Sequence, residues 1–99
     1  MIDDENKRHY ERKGLDLPLI LEKWAQDQMP TPNVHFQAQG IDISSGGIGI
    51  ATSQALCIGE VVKLEYPLND SGVTVPVYSE VVWSQMSEKN VRVGLRFLM

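Results

Sequence analysis

The stretch Leu15-Asp16-Leu17-Pro18-Leu19-Ile20-Leu21-Glu22 places a leucine at every second position. That period of two marks a strand with one face on a core and one toward solvent, and Pro18 puts it at an edge or a bulge. The same alternation returns at Val34-His35-Phe36-Gln37-Ala38-Gln39 and in Val62, Leu64 and Tyr66. It returns again in Val73, Val75, Val77, Val81 and Trp83, where Pro76 marks an expected bulge, and in Val91, Val93, Leu95 and Phe97. Asn69-Asp70-Ser71-Gly72 is a hairpin turn by composition. Polar, proline-bearing residues 25–33 and the segment Ser87-Glu88-Lys89-Asn90 read as loops. No amphipathic helix is visible, and Gln54 to Ile58 forms one turn at most. Six short strands with hairpin-length connections in 99 residues predict an all-β fold, a small six-stranded antiparallel barrel that leaves few open edges.

Working outward, Ile41-Asp42-Ile43-Ser44-Ser45-Gly46-Gly47-Ile48-Gly49-Ile50 reads as a polar turn between two β-branched runs. It offers a carboxylate, hydroxyls, bare backbone amides and glycines able to take positive φ. Asp42 and Ser44, two apart on extended chain, project to one side. Residues 7–13 hold four cations and one anion, a local +3 in a chain of net charge −4, which leaves the rest at −7. This isolated basic arm on an acidic body suits a small anion better than a nucleic-acid polymer, whose binding needs many phosphates neutralised over a long footprint. Residues 1–13 are accordingly expected to be a flexible N-terminal arm and residues 14–99 the barrel domain.

The remaining chemistry is sparse. One cysteine, Cys57, permits no internal disulfide and fits a reducing, cytoplasmic setting; set in Ala55-Leu56-Cys57-Ile58, it reads as a small buried apolar residue. No apolar run is long enough to span a membrane. Two histidines, His9 and His35, and scattered carboxylates show no metal-ligand spacing, and no nucleophile has a recognisable base. No enzyme, metal or cofactor is therefore expected. His35 reads as an outward strand residue.

Two motifs in order, Arg8-His9-Tyr10-Glu11-Arg12 and Asp42-Ile43-Ser44-Ser45-Gly46-Gly47, give the chain its resemblance to the PilZ domain family, receptors for the bacterial second messenger cyclic di-GMP. They match that family's RxxxR and [D/N]xSxxG. The Leu17–Leu21 run, the Val82-Trp83 pair and the closing Gly94-Leu95-Arg96-Phe97 resemble its first and last strands, so the likeness covers essentially the whole chain, as a single-domain, stand-alone member. The resemblance implies a bacterial cytoplasmic receptor that binds cyclic di-GMP through Arg8, Arg12, Asp42, Ser44 and Gly47. It also implies an effector protein as partner, in motility, biofilm, adhesion, exopolysaccharide or virulence control.

The residue types fit that ligand. A guanidinium fork makes two parallel hydrogen bonds to a phosphate or to guanine O6 and N7. An ionised Asp42 is an acceptor only, suited to a guanine donor edge or to an arginine. Lesser candidates are Lys7, where many members carry a second arginine and which bears on whether one ligand or a stacked pair binds, His9, Ser45, Gly46, Trp83 and Arg96. Trp83 has two readings, a stacking face for guanine or a core residue of an alternating strand, of which core is the commoner. Arg96, on the opposite parity to Leu95 and Phe97, reads as exposed. Two other classes stay open, a PilZ-like adaptor that binds only protein and a small barrel that binds single-stranded nucleic acid.

Overall fold

The computed structural model describes residues 13–23, 34–69 and 71–98. Six strands follow in chain order: β1 (Lys13–Lys23), β2 (Val34–Ile43), β3 (Gly47–Thr52), β4 (Val61–Leu68), β5 (Val73–Met86) and β6 (Val91–Phe97). They close into a barrel in the order β1-β2-β3-β6-β5-β4, with every neighbouring pair antiparallel. The expected six-stranded antiparallel barrel is thus the fold.

Alternation explains the core. Leu19 and Leu21 from β1, Ile48 and Ile50 from β3, Val62 and Leu64 from β4, and Val93 and Leu95 from β6 all point inward and are buried. Leu56, from the loop between β3 and β4, joins them. Burying one such side chain contributes about 1.5–3 kcal/mol, so the leucine period in β1 is what commits that segment to the barrel. Ser79 is the polar exception. Its register neighbours are Val62 and Phe97, and its hydroxyl is fully buried without a hydrogen-bond partner among the described residues.

The prolines follow one rule. β4 pairs with β1 only over Val62–Glu65, and β5 meets β6 only from Ser79 onward. Pro18, Pro67 and Pro76 therefore each lie where the strand has a partner on one side alone, opposite Gln39, Thr74 and Glu65. There the missing N–H costs no ladder bond. This corrects the bulge expected at Pro76, which sits in regular register with Glu65. The β5 bulge falls instead between Val81 and Trp83, where the register to β6 shifts.

Cys57 also departs from expectation, being exposed. Leu56 takes the core position, and the chain then turns: the Cys57 N–H donates to Glu60 Oε1 at 2.7 Å and the Glu60 N–H to the Cys57 carbonyl at 3.0 Å. The residues between point to solvent. The hairpin after β4 forms as read, with Asn69 and Gly72 in the left-handed region. No helix among the described residues is long and apolar enough to cross a membrane.

Candidate functional site

The glycine-rich segment is mostly strand rather than loop. β2 continues to Ile43 and β3 begins at Gly47, so the connection is only Ser44, Ser45 and Gly46. The Ser44 N–H donates to the Gly47 carbonyl at 2.9 Å, and the Gly46 N–H to Ser44 Oγ at 3.2 Å. The Gly46 carbonyl accepts from the Phe97 N–H at 3.0 Å, which ties the turn to the end of β6. Amides expected to be bare are thus engaged within the turn at Ser44 and Gly46.

Nor do these glycines serve through positive φ. Neither Gly47 nor Gly49 lies in the left-handed region. Each is instead a close approach. A Cβ on Gly47 would overlap the Leu95 carbonyl oxygen and stand 3.2 Å from its carbon, and one on Gly49 would stand 2.8 Å from Asp42 Oδ1.

Register makes a row of this. Asp42 on β2 pairs with Gly49 on β3, Gly49 with Gly94 on β6, and Gly94 with Trp83 on β5. The Asp42 carboxylate lies across Gly49, and the Trp83 indole lies across Gly94, where an added Cβ would stand 2.5 Å from Cδ1 and closer still to Nε1 and Cε2. The two glycines thus let a carboxylate and an aromatic ring lie flat against adjacent backbone on the outer wall. Bulges flank the row, at Ile41 in β2 and Val82 in β5, each shifting the register by one residue. A bulge re-aims the side chains that follow it. Without the extra residue at Val82, Trp83 would continue the inward parity of Val77, Ser79 and Val81. With it, the ring faces outward and is 41% exposed, so the core reading of Trp83 is overturned.

A groove of about 700 Å³ runs beside this row, lined by residues 44–48, 82–83 and 94–97. It collects the expected Ser44, Ser45, Gly46, Gly47, Trp83 and Arg96. Arg96 donates to Glu80, its cross-strand partner, and stays largely exposed. Asp42 borders not the groove but a small adjoining crevice with Trp83 and Arg92. Trp83 is common to both.

Lys7, Arg8, His9 and Arg12 lie outside the described residues. The site residues expected from the sequence include neither Gly49, Gly94 nor Arg92. Gly94 carried a signal, since a glycine on the outward parity of a strand, between Arg92 and Arg96 and far from any turn, marks a place where something lies close on the backbone.

Residues 6–99 match the family model described as PilZ domain. No curated protein matches the chain. Solved structures that share its fold include the PilZ domain with c-di-GMP of YcgR from Escherichia coli, and the Bacillus subtilis inhibitor of motility, MotI/DgrA. The first is 18% identical with a TM-score of 0.61, over 93% of this chain and 78% of that one. The second is 18% identical with a TM-score of 0.64; the match covers 93% of this chain but 43% of that one, less than half its length.

Proposed function

The chain belongs to the PilZ domain family, and from that membership and the geometry of the outer wall we propose that it binds cyclic di-GMP and relays it to a partner protein. The observation that carries the reading is the Asp42–Gly49–Gly94–Trp83 row beside the 700 Å³ groove. An acceptor and an exposed aromatic face beside an open groove suit a purine base. Ser44, Ser45, Gly46 and Gly47 form the groove's end, and Arg96 offers a cation on its wall.

The groove's own lining lacks charge for two phosphodiesters, since its cation, Arg96, is already paired with Glu80. The arm supplies it. β1 starts at Lys13, opposite Ile43, so the chain enters the barrel beside the Ser44–Gly46 turn. We assign phosphate and guanine edges to the guanidinium groups of Arg8 and Arg12, with Lys7 and His9 as neighbours. Folding the arm over the ligand makes a new surface for the partner. Ordering about ten residues costs on the order of 1 kcal/mol each, so a net affinity in the micromolar range, about 8 kcal/mol, implies a much larger gross interaction.

The relay has a surface to act on. Ile43, Tyr66, Val75, Val77, Phe97 and Leu98 line an apolar cleft of about 430 Å³, and Phe97 also lines the groove. Apolar surface of this kind marks places where proteins are covered by others. Calorimetry with cyclic di-GMP tests the site: Arg8→Ala, Arg12→Ala and Asp42→Ala should each weaken binding at least tenfold, about 1.4 kcal/mol. Unchanged affinity in all three would remove the site. Affinity capture with and without the nucleotide tests the relay, which predicts a partner retained in one state only.

A further inference from the structure

Arg92 has no part in the groove. It stands on β6 two residues from Gly94, exposed on the same outward side as Arg96, and pairs with Ala51 and Gln85. Its neighbourhood is what distinguishes it. Arg92 borders the same crevice as Asp42, Gly49 and Trp83. Ion pairs among the described residues engage Lys23, His35, Lys63 and Arg96, and none engages Arg92. Of the two outward arginines on β6, Arg96 is held by Glu80 and Arg92 is available.

We infer that the Asp42–Trp83–Arg92 crevice is the base-reading end of the ligand site, and that Arg92 sets a preference for guanine over adenine. The inference rests on the proposed cyclic di-GMP reading and goes beyond it. Three chemistries meet there: an aromatic plane, an acceptor-only carboxylate and a planar five-donor fork. A guanine stacked on the exposed face of Trp83 offers N1–H and N2–H to a carboxylate, and on the adjacent edge O6 and N7 to a guanidinium. An adenine in the same pose turns its N1 acceptor to the carboxylate and its N6 donors to one arm of the arginine fork, keeping only N7 as an acceptor, so the carboxylate contact and one of the two arginine bonds are lost. The crevice holds about 30 Å³, room for one water. The ring therefore stays in the adjoining groove, and only its edge enters.

The test is calorimetry on the full chain with cyclic di-GMP and with cyclic di-AMP, using wild type, Arg92→Ala, Arg92→Lys and Asp42→Ala. Wild type should prefer the guanine nucleotide. Arg92→Ala should lose about tenfold in affinity for it, with little change toward cyclic di-AMP, so that the preference narrows. Arg92→Lys should not restore it, because an ammonium lacks the fork. Because Arg92 is exposed, unchanged unfolding temperatures should accompany both variants. An unchanged preference in Arg92→Ala, with Asp42→Ala still weakening cyclic di-GMP, would overturn the role of Arg92 and leave the nucleotide reading intact. Equal losses toward both nucleotides would overturn base reading in favour of a phosphate contact. A wild-type protein that binds no cyclic di-GMP would overturn both proposals.

Discussion

Adding one methyl group at Gly94 should unseat Trp83. A Cβ there would stand 2.5 Å from Cδ1 of the indole and closer to Nε1 and Cε2, well inside any contact that two carbons tolerate. The β6 backbone is held on both sides, by Gly49 of β3 and by β5, so the ring is the part that moves. At 41% exposure the side chain keeps roughly three-fifths of its surface, on the order of 150 Å², out of water. Losing about half of that contact costs on the order of 2 kcal/mol at 25 cal per Å². For a domain of this size the corresponding fall in unfolding temperature is about 8–16 °C. Differential scanning calorimetry of Gly94→Ala measures it, and cyclic di-GMP titration of the same variant should show the loss of a stacking face. A double-mutant cycle isolates the cause: in a Trp83→Ala background the same methyl should cost under about 0.5 kcal/mol. If Gly94→Ala unfolds at the wild-type temperature, or costs as much without the tryptophan as with it, the indole does not lie on Gly94.

Gly47→Ala meets backbone instead, the Leu95 carbonyl, which cannot rotate away. It should lose about 3 kcal/mol, more than Gly94→Ala, in urea unfolding monitored by circular dichroism. Ser79→Ala removes a buried hydroxyl that has no partner among the described residues and should be neutral or stabilising by about 1 kcal/mol; a large loss in the same urea assay would show that the hydroxyl is satisfied. On the opposite wall Lys63 bonds Glu22 at 3.2 Å, and this bond, with help from Glu65 and against desolvation, raises its pKa above 10.5. A folded value above the unfolded one contributes stability that is fully present below about 10.5 and is lost as pH rises through the raised value. Glu22→Gln should flatten that alkaline slope, as read by unfolding at pH 9 to 12, and an unchanged slope would count against the pairing.

Periodicity carried the barrel because a half-buried strand must repeat every two residues, and Leu15 to Leu21 could hardly be anything else. Bulges left no such trace. Val81-Val82-Trp83 reads equally well in either register, and only the pairing with Leu95 and Gly94 decides which residue is extra. That one residue moves Trp83 from the presumed core to the outer wall. Exposure of Cys57 was hidden for a related reason: Leu56 and Cys57 are interchangeable as apolar neighbours until a turn chooses one of them. Gly47 and Gly49 were legible as special, but the backbone freedom they suggested was the wrong cause. Their missing side chains accommodate a carbonyl and a carboxylate from neighbouring strands, which no local pattern records.

The row from Asp42 to Trp83 has a kinetic side. Gly49 and Gly94 face each other from positions almost half the chain apart, and the row exists only when four strands are in final register. Loop-closure entropy makes such pairings late and slow, on the millisecond-to-second scale typical of small β-barrels. A nucleotide that needs the whole row gains nothing from a half-assembled chain. It should therefore leave the refolding rate untouched and express its full binding energy as slower unfolding, so that a bound nucleotide would lengthen the lifetime of the fold as well as occupy it.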